Sequence, residues 1–295
     1  MQRLAMGLTV GVWLAGTLCH TQDDGKIACY NYPRTTESYK KKLWDGYQIS
    51  LGPARNAQGG GDDQCTAAIY NAAGRVVFRT TGFGVIFDED HTGEDFDGDG
   101  KPEVVFMTDE AGGAHCCWIY NVISLWPKPH KLFDVGAGAA VNFAKDKDGK
   151  TIIWERVGGT TEYTGGVDAP FAERVYRVQG GKLVDATPDF CGKILSPGSE
   201  DYDVWTRVLT PLNIANLKST KKVAIGEDPK VEETVSALLS RAQQHVLCHQ
   251  YDDAMADLNL WPEATRDEMK HNFADSIKSY SPEFAARLAG PSVAK

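Results

Sequence analysis

The stretch Asp95-Phe96-Asp97-Gly98-Asp99-Gly100-Lys101-Pro102-Glu103 constrains this chain more than any other. Carboxylates stand at alternate positions, glycines allow sharp turning, one more acid follows, and Val104-Val105-Phe106-Met107 runs straight on. Such spacing wraps hard oxygen ligands around Ca²⁺, which takes six to eight oxygens at about 2.3–2.6 Å. In this reading Asp95, Asp97 and Asp99 supply side-chain oxygens, Lys101 its backbone carbonyl and Glu103 the last carboxylate. The alternative is an Asp/Gly-rich surface turn with no ion. Without a cation its four acids would repel one another, so Ca²⁺ is the preferred expectation.

The run that follows separates this loop from an EF-hand. An EF-hand needs a bidentate Glu at its twelfth position and a helix after it. Counted from Asp95, the twelfth residue is Phe106, inside a β-branched and aromatic run that predicts a strand. The loop resembles instead the D-x-D-x-D-G-x-x-D calcium loop that leads into a strand in FG-GAP and VCBS-type repeats, as in integrin-like β-propellers. Glu103 replaces the usual final Asp, keeping an acidic oxygen on a longer arm. The resemblance covers about a dozen residues and implies a Ca²⁺ site rather than a whole fold.

Three segments share a hairpin design. Ile69-Tyr70 turns through Asn71-Ala72-Ala73-Gly74 to Arg75-Val76-Val77-Phe78, and Ile119-Tyr120-Asn121 leads through 122–129 to His130-Lys131-Leu132-Phe133. Val175-Tyr176-Arg177-Val178 turns at Gln179-Gly180-Gly181 into Lys182-Leu183-Val184. Glycine-bearing turns of this kind favour hairpins. The tyrosines at 70, 120 and 176 are 50 and 56 residues apart, a spacing suited to propeller blades or similar four-stranded units. Asp146-Lys147-Asp148-Gly149-Lys150, before Thr151-Ile152-Ile153-Trp154, echoes the metal loop without its third aspartate and final acid, and reads as a turn between strands. Three units fall short of a closed propeller. The expectation is an open antiparallel β domain, propeller-blade-like or sandwich-like, over 44–190.

From Asp228 the period changes. Asp228-Pro229 suits an N-cap and first helical turn, and Val231, Val235, Leu238, Leu239, Ala242 and Val246 recur at helical spacing. Pro262 opens a second helix with Met269, Phe273 and Ile277 on one face, and Ser281-Pro282 starts a last one that stops near Gly290. The fold class is α+β, a mainly antiparallel β domain followed by a small helical module at 228–290. A segment at 22–43 precedes the β domain, and a polar linker at 191–227 follows it, with Trp205 as a packing anchor.

The first 21 residues read as an export signal. Arg3 starts it, the stretch from Leu4 to Leu18 is mostly apolar yet short for a bilayer, and Gln22-Asp23-Asp24 ends it. Leu18 stands where a lipobox wants a small residue before Cys19, so plain cleavage near 19–22 is preferred to a lipid anchor. Export to the periplasm or beyond makes the remaining Cys29, Cys65, Cys116, Cys117, Cys191 and Cys248 disulfide candidates. Cys65 is a candidate partner for Cys116 or Cys117, and Cys191 with Cys248 could tie the β part to the helices. A net charge of −9 argues against nucleic acid, and Lys40-Lys41-Lys42 reads as a short solvated patch.

The other candidate chemistry is weaker. Gly112-Gly113-Ala114-His115-Cys116-Cys117-Trp118 is similar to a signature of uncharacterised exported bacterial proteins that carry such calcium loops. His115 could serve a cysteine nucleophile, or share a transition metal with Cys117 on one face of a strand. Two oxidised cysteines pointing to opposite faces is the simpler reading, because a free nucleophile would break the pairing of six. His245 and His249 flank Cys248 without an HExxH glutamate, and Gly59-Gly60-Gly61 lacks the spacing and Lys of a phosphate loop. Acid pairs such as Asp62-Asp63 have no partner suggesting a glycosidase dyad. The sequence therefore suggests an exported, disulfide-stabilised, Ca²⁺-binding β protein that acts by binding an extracytoplasmic protein or glycan, without catalytic residues. The rival reading is a secreted hydrolase with its cleft between the β and helical parts.

Overall fold

The computed structural model describes residues 27–30, 38–54, 65–109, 118–136, 140–165, 169–226 and 228–289. The proposed signal, Gly59-Gly60-Gly61, Asp62-Asp63 and the segment 112–117 with His115, Cys116 and Cys117 lie outside the described residues.

Strand β1 (Ile27–Tyr30) is followed by three consecutive antiparallel meanders. The first comprises β2 (Tyr39–Lys42), β3 (Gln48–Pro53), β4 (Cys65–Tyr70) and β5 (Val76–Gly82). The second comprises β6 (Gly84–Asp88), β7 (Glu103–Asp109), β8 (Trp118–Ser124) and β9 (His130–Val135), with β1 added beside β6. The third comprises β10 (Val141–Lys145), β11 (Thr151–Gly158), β12 (Phe171–Gln179) and β13 (Lys182–Asp185). The three hairpins expected from sequence are the last two strands of each meander, β4–β5, β8–β9 and β12–β13. The segment 22–43, set apart in the sequence reading, contributes β1 and β2 to the sheets.

The sheets stack like blades, and side-chain alternation builds the two cores between them. In β7 Val104 and Phe106 face the first sheet, packing with Ile49, Leu51 and Ile69. Val105, on the opposite face, packs with Ile153, Val178 and Phe133 against the third sheet. A strand buried on both faces reads as a continuous apolar run, which accounts for Val104-Val105-Phe106-Met107.

Helices cover the outer face of the third sheet. Helix α1 (Thr187–Ile194) sets Ile194 against Ile152 and Val175. The stretch 191–227 departs from the expected linker, since it completes α1 and holds α2 (Glu200–Val208) and α3 (Pro211–Ser219). Its polarity belongs to short helices with one buried residue or two each, capped by Ser199 and Thr210 accepting the amides of Tyr202 and Asn213. Trp205 is buried beside Val208 and Ala237, the anchor expected.

The helical module comprises α4 (Pro229–Leu247), α5 (Tyr251–Leu258), α6 (Arg266–Ile277) and α7 (Pro282–Ala289). Asp228 caps α4 as expected, accepting the Lys230 amide at 2.9 Å. Val235, Leu238, Leu239, Ala242 and Val246 are buried together with Met269, Phe273 and Ile277. His249 lies past the end of α4 in a left-handed conformation, so His245 and His249 do not share a helix face.

Helix α4 also closes an open sheet edge. β13 pairs with β12 only over Tyr176–Gln179, leaving the first half of β12 without a neighbour on that side. The fully buried Gln244 substitutes for a strand there, accepting the Glu173 amide at 2.7 Å and donating to the Glu173 carbonyl at 3.0 Å. Ser240 Oγ accepts the Phe171 amide at 3.0 Å. These bonds satisfy backbone groups that burial would otherwise strand.

Among the described residues two disulfides fasten the layers. Cys29–Cys65 joins β1 of the second sheet to β4 of the first. This overturns the suggested bond from Cys65 to Cys116 or Cys117, because the N-terminal strand β1 lies against the first sheet and brings Cys29 to it. Cys191–Cys248 joins α1 to the end of α4, the tie expected between the β part and the helices.

Candidate metal centre

The acidic loop connects β6 to β7 of the second sheet, and the 146–150 echo connects β10 to β11 of the third. The loop is pinched at its base: the Gly93 amide donates to the Glu103 carbonyl at 2.8 Å, and the Glu103 amide to the Glu94 carbonyl at 2.9 Å. Phe96, the loop's apolar residue, is buried in the core between the second and third sheets, with its ring edge-to-face on Phe133 and Phe143. Glu94 is paired to Lys145 of β10 at 3.0 Å, which ties the loop to the third sheet.

Inside this frame the aspartates hold the turn from within. Asp95 accepts the Gly98 amide at 2.7 Å on one oxygen and the Gly100 amide at 2.9 Å on the other. Asp97 Oδ1 accepts the Asp99 amide at 3.1 Å, and Asp99 Oδ1 the Lys101 amide at 2.7 Å. Both Gly98 and Gly100 have positive φ, 81° and 82°, a region costly for residues with a Cβ. The result gathers one oxygen each of Asp95, Asp97 and Asp99 within 4.8 Å of one another. Two oxygens on one Ca²⁺ cannot lie further apart than about twice the 2.3–2.6 Å bond, so the spacing fits a shared ion. Among the described residues no other group of three His, Cys, Asp or Glu side chains converges in this way.

Glu103 and Lys101 stand outside that triad. Glu103 begins β7 and is fully buried. Its Oε2 accepts the Phe96 amide at 2.8 Å, whereas its Oε1 has no hydrogen-bond partner. Burial, together with repulsion from Asp97, Asp95 and Asp99, pushes its carboxyl up to about 7 against the pull of the Phe96 amide. Lys101 carries its ammonium over the Trp126 ring at 5.4 Å. The echo loop reproduces the frame alone: Asp146 Oδ1 accepts the amides of Asp148 and Lys150, both at 2.9 Å.

Sequence reasoning had no signal for the orphaned Glu103 oxygen, which depends on what the sheets bury. The Phe96 anchor was visible as a lone aromatic in a polar loop. Also unforeseen was His91, whose Nδ1 meets the buried Asp88 Oδ2 at 2.8 Å and whose ring packs on Phe143. That hydrogen bond raises His91 above the ordinary imidazole range despite burial, and Asp88 is lowered because its bonds to His91 outweigh its desolvation. His245 bonds Gln250 and approaches Asp257, a local role at the end of α4.

Fold and site define a class: a stack of antiparallel blade-like sheets with a helical cover and an acidic loop entering a central strand. No protein-family profile and no curated protein matches the chain. Among solved structures, a rhamnogalacturonan lyase of Bacillus licheniformis aligns at 15% identity over 60% of this chain, with a TM-score of 0.28. The aligned part spans 36% of that lyase.

Proposed function

We propose that this chain is an exported, disulfide-stapled β protein whose acidic loop holds a structural Ca²⁺, and that it works by binding. Asp95, Asp97 and Asp99 would supply the first oxygens, with the Lys101 carbonyl and Glu103 as the remaining protein ligands. The observation that carries this reading is the buried Glu103 Oε1, unpartnered at the base of a loop that gathers three further carboxylates. A divalent cation would neutralise that charge and fix the connection that launches β7. Export is supported by the disulfides Cys29–Cys65 and Cys191–Cys248, since such bonds persist in oxidising compartments. Among the described residues no helix is long and apolar enough to cross a membrane.

Thermal unfolding in EDTA and in Ca²⁺ tests the proposal. With a dissociation constant of about 10⁻⁴ M, roughly 10 mM Ca²⁺ adds about 2.7 kcal/mol by mass action. Asp97→Ala and Asp99→Ala should abolish the gain, and equal melting temperatures in both buffers would overturn the reading. The hydrolase alternative is favoured by one observation, a cleft of about 480 Å³ between the third sheet and helices α1 and α2. Turnover of generic ester, glycoside or phosphate substrates would support it, and inactivity on all three would count against it.

A further inference from the structure

We propose that Ca²⁺ in the acidic loop works as a clasp, locking the third sheet and its helical cover onto the second sheet. The inference rests on the metal reading above and adds to it a contact between two sheets that the cation controls.

Residues interleaved with the ligands reach across to the third sheet. Glu94, one residue before Asp95, pairs with Lys145 of β10 at 3.0 Å. Phe96, between Asp95 and Asp97, lies edge-to-face on Phe143 with ring centroids 5.3 Å apart, and shares a core with Ile153 and Val178. The Lys145 ammonium stands 5.9 Å over the Phe96 ring and donates to Thr151 Oγ1 of β11 at 2.8 Å. One cation of the third sheet thus gathers both interleaved residues. A ligand also meets that sheet directly, at the β12–β13 turn. Gly181 has a φ of 72°, and a Cβ there would stand 3.0 Å from Leu132 Cδ2 and 3.8 Å from Asp97 Oδ2.

The covalent ties among the described residues run elsewhere. Cys29–Cys65 joins the second sheet to the first, and Cys191–Cys248 joins α1 to the end of α4, both on the side of the third sheet. Neither holds the second sheet to the third. The Glu94–Lys145 pair is partly exposed on both sides, so by itself it orients more than it stabilises. Whether Glu94 and Phe96 are presented together to the third sheet therefore depends on what fixes the shape of the loop.

Charge makes that shape dependent on a cation. Asp95, Asp97 and Asp99 each bring an oxygen within 4.8 Å of the others, and the fully buried Glu103 adds Oε1 without a partner. Without a cation these carboxylates oppose the closed loop by mutual repulsion. A divalent ion among them removes the opposition and holds Glu94 and Phe96 in the arrangement that meets Lys145 and Phe143. The coupling is reciprocal: the factor by which Ca²⁺ favours the docked sheet is the factor by which docking raises Ca²⁺ affinity.

Thiol labelling of the full mature chain tests this. Ile153→Cys puts a probe between the second and third sheets and Ile69→Cys one between the first and second, both at fully buried positions. The parent chain labelled in parallel gives the background, and circular dichroism shows each sample to be folded. In EDTA the probe at 153 should react about tenfold or more faster than the probe at 69, the mark of a local opening. Roughly 10 mM Ca²⁺ should slow the probe at 153 by about tenfold or more. Lys145→Met or Phe96→Leu should cut that slowing to less than about a third. Equal rates at the two probes in EDTA, or an undiminished Ca²⁺ effect in both folded variants, would overturn the clasp. Calorimetric titration with Ca²⁺ separates the two readings. Saturable binding that leaves the probe at 153 unchanged rejects the clasp alone, whereas no saturable binding rejects the metal site and the clasp together.

Discussion

The Phe96 amide donates a 2.8 Å hydrogen bond to Glu103 Oε2, spanning the acidic loop and leaving the second oxygen of the same carboxylate buried without a partner. Phe96 is held in the core between two sheets and Glu103 opens the central strand, so this bond couples loop geometry to sheet packing. A carboxylate placed there is costly when charged, and the cost responds to pH and to cations in opposite senses.

The first prediction concerns the metal-free protein. Unfolded Glu103 loses its proton near 4.5, whereas folded Glu103 keeps it up to about 7. Stability in EDTA should therefore fall as pH rises from 4.5 to 7, by up to about 3 kcal/mol from this group, and level off above. Glu103→Gln should flatten that slope in EDTA and weaken the response to Ca²⁺. Denaturant unfolding at pH 5 and pH 8 checks both, and an unchanged slope in the variant would exclude the assignment.

The Asp88–His91 pair carries the opposite pH dependence at its acidic end. Asp88 is lowered from 3.8, so its contribution is complete above that value and fades as pH falls through its folded pKa. His91 is raised from 6.5, so its contribution is complete below that value and is lost as pH rises through its folded pKa. The pair should stabilise most between about pH 4 and 6.5. NMR titration should give a His91 midpoint above 6.5 that drops in Asp88→Asn.

Helix α4 should prove necessary to the third sheet. Gln244→Ala removes both hydrogen bonds to the Glu173 backbone, leaving a buried amide and carbonyl unpaired. A loss of about 2–4 kcal/mol is expected, with faster amide exchange at Glu173 than at Val178 in the paired half of β12. Unchanged exchange at Glu173 would mean that the edge is protected without the glutamine.

Peptide mapping of the unreduced chain should link Cys29 to Cys65 and Cys191 to Cys248. The two bonds span 36 and 57 residues. Replacing Cys191 and Cys248 together by Ser should cost about 4 kcal/mol on chain-entropy grounds, and the Cys29/Cys65 pair slightly less. A map linking Cys65 elsewhere would contradict the position of β1.

Local patterns in this chain carry their own instructions. Alternating aspartates with two glycines fold into a turn that bonds its own amides, whatever surrounds it, and Asp146 repeats the device with fewer acids. Asn71 and Gly74, and Gly180 with Gly181, make hairpins by the same short-range logic, while Asp228-Pro229 begins α4. Sequence by itself thus determined the hairpins, most of the helical module and the convergence of three aspartates. Tertiary structure alone decided that β1 crosses to the second sheet and pairs Cys29 with Cys65. It also decided that 191–219 carries three short helical stretches, that Gln244 completes a sheet edge, and that Glu103 Oε1 is buried without a partner. The physical reason is range: turns and caps are settled by neighbours a few residues away, whereas burial, disulfide choice and an orphaned oxygen depend on which sheets meet.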